Sequence, residues 1–553
     1  MIWGKRSRAL ISAGFFCVAV ALGGGAQAAE VYPGCAQPGP TGKVWYIDPI
    51  NGKTPAAGGA GSQAAPWNSL QGVLSFRYPQ GYPRPLLSSV PYFHVVDGKK
   101  IYVADQLGSP PIQPGDTIKL MSGNYGDIGI GDYLQQVVNP SFVTVEAAPG
   151  QTPVFSTLYI SSTNKWVFNG IKVQSLLGTN NNKQPLVAVR DQGAALPSSN
   201  IVLTNMLVSA ADPSVYANWT QAQWAANTRS GISVKGSENG ANTTCVSIVD
   251  SHITANHFGL EIFGDNMLVT GNEIDHFGDD GIDYGASNIL ITKNYIHDPM
   301  QWNIGAHIDG MQGYPGRPVP PAKTVTFKNV VIDSNRVIRQ ADPKLPFSTY
   351  LQGIDAFDGD WANLSVTNNV VLTSSCWGMD FGSIHGGKIV NNTVVDDGSD
   401  IGTKNRAGNI MCRPQLAVGD KSHDGLPSND VTIRNNIASG LGIYNTNPNM
   451  TMDHNICLTI EGRCTILTFV DGKPKWGVSK PGEYAGHNII ERNGAAGMFV
   501  SFDPARFVYD LRLRPGALAI GAGSSIDAPS VDITGAPRGS SIDAGAYQHS
   551  PGK

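Results

Sequence analysis

The chain has 553 residues, of which 65 are glycine and only 15% are charged, and its formal net charge at neutral pH is −4. A nucleic-acid-binding surface needs clustered lysine and arginine, so this composition argues against a nucleic-acid partner. The abundance of glycine and the shortage of charge favour tight turns and stacked strands over surface helices.

The first residues have the pattern of an export signal. Three basic residues come before an apolar stretch over 9–22, and Ala26-Gln27-Ala28 supplies small residues for cleavage. We therefore predict a signal peptide over residues 1–28 and a secreted or periplasmic mature protein, with an uncleaved anchor as the alternative. Removing these residues takes away three positive charges and no acid, so the net charge moves from −4 to about −7. No later apolar run reaches about 18 residues, so no integral membrane segment is predicted.

Six cysteines follow the predicted signal peptide, and an even number in an oxidising compartment allows disulfide bonds. None of them forms a CxxC pair, which argues against a zinc or redox motif.

Residues 29–114 are predicted to form an N-terminal cap region. A short strand near Val44 and a capping turn or helix near Leu70 are indicated there, and the rest has no clear period. The segment from Gly115 to Leu120 has the pattern of the first regular strand.

An internal repeat follows from about residue 150. Short apolar runs each end in asparagine, or once in serine, and the shorter gaps between these markers are about 20 residues, which is typical of a β-solenoid. We interpret the markers as a structural ladder in stacked turns, because asparagine tolerates left-handed dihedrals and can bond its copy one coil away. The markers are Asn169, Asn205, Ser251, Asn272, Asn294, Asn335, Asn369, Asn392, Asn436 and Asn455.

A second pattern places an acid or amide two residues after a glycine in the central coils. Because strand side chains alternate between faces, the residue between them should enter the core and the polar one should point outward. The outward residues form one row: Glu261, Asp283, Gln312, Asp355 and Asp380. Like charges about 4.8 Å apart repel, so protons, a cation or a substrate should neutralise this row.

Insertions near this row are predicted to form the walls of a groove. Residues 115–500 are thus predicted to be the β-helix, and residues 501–553 a C-terminal cap segment that covers an open end.

The strand pattern from Val44 to Leu70, the Gly/Asn repeat and the terminal DLRLRPGALAIGAG and DAGAYQ segments resemble secreted proteins of the pectate-lyase-like superfamily. The resemblance implies an all-β fold, a single-stranded right-handed parallel β-helix with caps at both ends. It also implies a polysaccharide lyase, a glycoside hydrolase, an epimerase or a non-enzymatic surface protein. The paired aspartates at Gly278-Asp279-Asp280-Gly281 are similar to those of polygalacturonase-type hydrolases, but the Gly-His-Gly and Arg-Ile-Lys elements of that family are absent. The Asp-Pro-His-Asp motif of alginate epimerases is absent as well.

The candidate catalytic residues are Asp283, His307, Asp309 and Asp355. Two carboxylates suit glycoside hydrolysis, in which one acts as acid and the other as base or nucleophile. A histidine beside acids suits β-elimination from a uronic acid, in which the substrate carboxylate is neutralised and a base removes the C5 proton. His307 is the first choice for the general base or acid.

Further candidates concern binding. The substrate-binding candidates are Gln312, Trp302, Tyr314, Arg317 and Lys293, and Asp279 and Asp280 are candidate Ca²⁺ ligands because hard cations take oxygen ligands. We predict a secreted, monomeric carbohydrate-active enzyme that cleaves an acidic polysaccharide by β-elimination. The alternatives are a glycoside hydrolase and a non-catalytic glycan-binding or envelope-structural solenoid.

Overall fold

The computed structural model forms a parallel β-helix, which confirms the predicted fold. It describes residues 30–39, 41–75, 81–82, 84–89, 93–102, 108–131, 138–175, 184–191, 197–236, 243–300, 307–315, 325–346, 349–399, 413–419, 427–443, 449–458, 464–470, 473–479 and 487–550. The predicted signal peptide lies outside these residues. No helix in the described part of the chain is long and apolar enough to cross a membrane.

Each full coil contributes one strand to each of three parallel faces. Face A contains Asp127–Gly131, Thr157–Ser161, Val187–Arg190, Ile232–Lys235, Asp309–Gly313, Gln352–Ala356, Trp377–Gly382, Gln415–Gly419 and Leu441–Ile443. Face B contains Val44–Ile47, Thr117–Leu120, Val143–Ala147, Asn164–Asn169, Ser199–Thr204, Thr244–Val249, Thr326–Asp333, Asp360–Thr367, Ile384–Val390, Asn429–Arg434 and Thr451–Asp453. Leu260–Thr270 and Ile282–Thr292 run through both faces and join them into one 22-stranded sheet.

Face C is a separate 13-stranded sheet. Its strands are Gly123–Asn124, Pro153–Phe155, Lys172–Gln174, Leu207–Ser209, His252–Thr254, Glu273–Asp275, Tyr295–His297, Arg336–Ile338, Val370–Thr373, Thr393–Asp396, Ile437–Ala438, Ile456–Leu458 and Ile489–Glu491. The inward side chains of all three faces form one apolar core along the stack. Stacking is what buries this core, because a single coil exposes its apolar edge.

Elements outside the coils are short. The helices are Leu70–Leu74, Pro213–Tyr216, Gln221–Asn227 and Gly494–Met498, and the antiparallel hairpins pair Phe93–Val96 with Lys99–Tyr102, Cys464–Val470 with Lys473–Ser479, and Phe499–Asp503 with Val508–Leu513. Ser69 caps the first helix by accepting the N–H of Gly72 at 3.0 Å. Gln71 Nε2 donates to Gly129 O, and the N–H of Gly129 donates to Gln71 Oε1, so this helix lies against the first strand of face A.

The asparagine ladder is confirmed at the corner between faces B and C. Asn335 Oδ1 accepts the backbone N–H and the Nδ2 of Asn294, at 3.0 and 2.9 Å, and Asn335 Nδ2 donates to Asn369 Oδ1 at 3.0 Å. The buried ladder runs through Ser251, Asn272, Asn294, Asn335, Asn369, Asn392, Asn436, Asn455 and Asn488.

The predicted ladder differs from the structure in two details. Asn169 and Asn205 lie outside the buried ladder, whose Ser251 accepts the N–H of Met206. They do bond each other one coil apart, as predicted, with Asn205 (φ 51°) donating from Nδ2 to Asn169 Oδ1 at 2.9 Å. The left-handed residue is also not the ladder asparagine but the one before it, as at Lys293 (φ 57°) and Ser334 (φ 59°). At each turn, one residue adopts the left-handed conformation and the next residue forms the hydrogen bonds of the ladder.

The C-terminal segment lies along the side of the last coils and not over an open end. Gly545 donates to Asn435 O at 2.7 Å, and Asn391 Nδ2 donates to Asp543 O at 2.9 Å. Its Leu511 and Leu513 join an apolar cluster with outward residues of face C such as Val370. The tail therefore covers the outer side of face C. It buries apolar side chains, such as that of Val370, that would otherwise be exposed to solvent.

The N-terminal segment is joined to the stack by the disulfide Cys35–Cys245, whose residues are 210 positions apart. Cys376 and Cys457 are also disulfide-bonded. The oxidised state allowed by the even cysteine number is thus found in the structure.

Candidate active site

The predicted outer row is present on face A. Asp283 pairs directly with Glu261 and Gln312, and Asp355 pairs with Gln312 and Asp380. The intervening side chains, such as Ile282 and Met311, are in the core, so strand alternation does turn the polar residues away from it. Almost all of the row is nevertheless buried, and the side chain of Asp283 is 0% exposed.

A second row, the corner row, comprises the residue before the glycine of each of these coils: Phe258, Asp280, Asp309, Gln352 and Trp377. A Cβ atom on Gly281 would lie 2.6 Å from Gly310 O and 2.7 Å from Ile296 Cγ2. Only glycine fits this close approach of successive coils. The sharp corner brings Asp280 back beside Asp283, so the two rows converge.

Three aspartates meet at this corner. The backbone N–H of Asp309 donates to Asp280 Oδ1 at 2.7 Å, and the carboxyl groups of Asp280 and Asp283 are close enough to affect each other's pKa. The hydroxyl of Tyr314 donates to Asp283 Oδ2 at 3.3 Å and helps to cover it. The predicted juxtaposition of acids from separate coils is therefore observed.

Burial changes the acidity of this cluster. It raises the pKa of Asp280 and of Asp283, and the neighbouring carboxylates, Glu261 beside Asp283 among them, raise both pKa values further. Burial also raises the pKa of Asp279 to about 6, although nearby His307 opposes the rise. The cluster is therefore built to hold protons or a cation near neutral pH.

Two carboxylate oxygens of the cluster are unsatisfied. Asp283 Oδ1 and Asp309 Oδ1 are buried and have no hydrogen-bond partner among the described residues. Ligand atoms of Asp280, His307 and Asp309 also lie within 4.8 Å of one another. Unpaired buried oxygens beside further carboxylates are a donor set that fits a hard cation such as Ca²⁺.

A histidine–aspartate pair lies at the edge of this cluster. His307 Nδ1 is 2.7 Å from Asp309 Oδ2, and Gln312 Nε2 donates to the same oxygen at 3.2 Å. The side chain of His307 is 54% exposed, whereas that of Asp309 is 0% exposed. A buried carboxylate thus orients an imidazole that solvent or a substrate can reach.

The pair borders a cleft of about 270 Å³ on face A. Its described lining residues are His307, Gln312, Gly313, Gln352, Asp355, Phe357, Asp358 and Trp377. They include two aromatic rings, two amides and no lysine or arginine. Such a lining suits a sugar, whose hydroxyls bond amides and carboxylates and whose ring face packs on aromatic side chains.

The remaining predicted site residues lie beside the aspartate cluster, away from it, or outside the described residues. Asp279 lies beside the cluster, with its Oδ2 atom 3.8 Å from His257 Nε2. Lys293 is exposed at the ladder corner, after the last residue of the strand that begins at Ile282, and does not join the cluster. Trp302 and Arg317 lie outside the described residues.

Two neighbours were missed by the sequence reasoning. Gln352 belongs to the corner row, and its position before Gly353 was the signal that could have revealed it. Tyr350, whose pKa is raised by burial and by Asp309, lies close by, but it comes from the chain that leads into the strand and carries no repeat signal.

Comparisons with known proteins place these observations beside solved structures. No protein-family model matches the chain, and no curated protein matches it. The chain is similar to the crystal structure of pectate lyase Pel9A, at 14% identity and a TM-score of 0.44, over 94% of this chain and 98% of the other. It is similar to XylC in complex with xylose at 9% identity and a TM-score of 0.40, over 91% and 98%.

It is also similar to a double mutant of the periplasmic alginate epimerase AlgG, at 12% identity and a TM-score of 0.35, over 68% of this chain and 76% of the other. Identities this low with TM-scores below 0.5 assign neither a reaction nor a substrate to the chain.

Proposed function

We propose that the protein is an exported carbohydrate-active enzyme that cleaves an acidic polysaccharide by β-elimination in the cleft on face A. The observation that carries the proposal is the exposed His307 held by the buried Asp309 at the edge of that cleft. A positioned imidazole with an orienting carboxylate is a general base suited to neutral pH.

In the proposed reaction, Nε2 of His307 removes the proton from C5 of a uronic acid residue. The electron pair of the C5–H bond forms the C4–C5 double bond, and the bond from C4 to the glycosidic oxygen breaks. That oxygen takes up a proton, for which we assign Tyr314. Burial and the nearby Asp283 raise the pKa of the Tyr314 hydroxyl. The hydroxyl is therefore protonated at neutral pH and can donate its proton to the leaving oxygen.

The substrate carboxylate requires neutralisation before its C5 proton becomes acidic. Because the described cleft residues include no lysine or arginine, protonated aspartates or a cation are the available partners. Oxygens of Asp280, Asp283 and Asp309 would hold Ca²⁺, which when bound would withdraw charge from the carboxylate and the developing carbanion. Oxygen ligation leaves the imidazole of His307 available for proton transfer.

Glycoside hydrolysis is the second candidate, because one observation favours it. Asp279 has a pKa raised to about 6, which suits a general acid, and Asp355 lines the cleft. This reaction would produce new reducing ends without a double bond.

The two reactions are distinguished by incubating the protein with a panel of uronic-acid polymers, with Ca²⁺ and with a chelator. β-Elimination predicts a rise in the ultraviolet absorbance of the unsaturated product. New reducing ends without this absorbance would select the hydrolase. Saturable glycan binding with unchanged polymer length would reject both reactions and favour a glycan-binding solenoid.

A further inference from the structure

A second cluster of titratable side chains lies on face C, away from the cleft on face A. His252 and Glu273 pair directly on successive strands, and Asp275 pairs with Thr254 and with His297 in the same way. All five side chains point out of the core. Strand stacking thus brings two imidazoles and two carboxylates from three coils to one patch.

Asp275 is held in place from several sides. Its Oδ2 atom lies 2.7 Å from His252 Nε2, and its Oδ1 atom lies 2.6 Å from His276 Nδ1 and accepts the hydroxyl of Thr254. The ring of His276 is in turn stacked on Trp224, with centroids 6.4 Å apart. The carboxylate is therefore fixed before any ligand arrives.

His297 is oriented in the same manner. Its Nδ1 atom lies 2.7 Å from Asp298 Oδ2, and the buried Asp298 accepts the N–H of Ala341 at 2.7 Å. This arrangement directs His297 Nε2 to Glu273 Oε1, 3.2 Å away. A carboxylate behind an imidazole is the usual outer support of a metal-ligating histidine.

We propose that this patch binds a divalent transition-metal ion, such as Zn²⁺, through His252, Glu273 and Asp275, with His297 beside Glu273 as a further ligand. The ligand atoms of the first three residues lie within 4.8 Å of one another. Mixed imidazole and carboxylate ligands favour zinc and similar ions over calcium. The side chains of His252 and Glu273 are 40% and 49% exposed, so the ion can enter from solvent and water can complete its coordination.

The test is titration of the full chain with Zn²⁺ by calorimetry, and with Co²⁺ by visible absorption. The doubly substituted variant His252→Gln, Glu273→Gln should bind one equivalent fewer and should lose the cobalt absorption of this site. The matched control is His385→Gln, because His385 Nε2 lies 2.6 Å from Asp360 Oδ1 and the described residues place no third metal-ligating side chain beside this pair. This control should keep the full stoichiometry.

Equal zinc stoichiometry and affinity in the protein and the double variant would overturn the proposal. Both substituted side chains are half-exposed, and circular dichroism would confirm that the variant is folded. As a second measurement on the unaltered protein, Zn²⁺ should raise Tm, and no rise at saturating Zn²⁺ would also overturn it. Neither readout depends on activity toward a polysaccharide.

Discussion

His307 Nδ1 lies 2.7 Å from Asp309 Oδ2, in a pair whose imidazole is half-exposed and whose carboxylate is fully buried. The contact fixes the imidazole ring at the edge of the cleft. A proton-transfer role for this pair makes predictions that a purely structural ion pair does not.

The variant His307→Gln should lose activity by about 10²–10⁴-fold, because it removes the proposed base. The half-exposed position predicts little change in Tm. Initial rates of unsaturated-product formation measure the effect, with His385→Gln, a change in a similar pair on face B, as the matched control. Full activity in His307→Gln would exclude this residue as the base.

The variant Asp309→Asn should also lose activity, since an amide holds the imidazole less well and in another tautomer. The Tm of this variant should not fall together with its activity, because the substitution removes one negative charge from a crowded cluster of carboxylates. The double variant with His307→Gln should be about as inactive as the worse single variant, because the two residues act as a unit. Additive losses would show that they act independently.

Calcium should raise the Tm of the protein if the unpaired oxygens of Asp283 and Asp309 bind it. Asp283→Asn should abolish this rise and, without calcium, should itself raise Tm by removing a buried acid. Asp380→Asn is the matched control, because Asp380 belongs to the same row but pairs with Asp355 and lies outside the group of Asp280, His307 and Asp309. A calcium response that survives in Asp283→Asn would place the ion elsewhere.

The raised pKa of Asp279 has a consequence for acid stability. The pKa of Asp279 is 3.8 when unperturbed and about 6 in the folded protein. Between these two pH values the folded state therefore binds more protons than the unfolded state. The free energy of unfolding should therefore decrease as pH rises from about 4 to 6, by on the order of 1–3 kcal/mol from this group. Urea denaturation at several pH values measures the slope, and Asp279→Asn should flatten it; an unchanged slope would contradict the assignment.

The ladder predicts a contrast between two asparagines of one coil: Asn335 is buried in the ladder, and Asn329 is exposed within the strand Thr326–Asp333. Asn335→Ala should destabilise the fold by about 2–4 kcal/mol, because it leaves buried N–H and C=O groups of Asn294 and Ile291 without partners. Asn329→Gly removes exposed bonds to Asn288 and Asn363 without straining the left-handed backbone at this position (φ 57°), and it should change stability by about 0.5 kcal/mol or less. Denaturant unfolding of both variants provides the comparison, and equal losses would refute the ladder's role.

Much of the fold was predictable because it repeats. Coil stacking forces equivalent residues into register, so the glycine column alone predicted that Asp283, Gln312 and Asp355 would be neighbours. The same rule aligns Asp280 with Asp309, because each comes directly before a glycine of this column.

What could not be predicted depends on contacts that do not repeat. The burial of Asp283 under Tyr314, the approach of Tyr350 and the path of the C-terminal tail along face C are each made by one segment in one place. The left-handed residue before most ladder positions is a type that favours this conformation (Asp250, Gly271, Asn368, Asn391, Asn435 and His454), but Lys293 and Ser334 carry no such signature.

The Cys35–Cys245 bond also bears on how the molecule responds to force. Stacked coils can peel from an end one at a time when nothing else holds them. Tension on the chain ends would instead pass through the covalent bridge, directly from the segment before Val44 to the strand Thr244–Val249. The coils enclosed by that bridge carry no load, so tension on the chain acts only on the coils that follow Cys245.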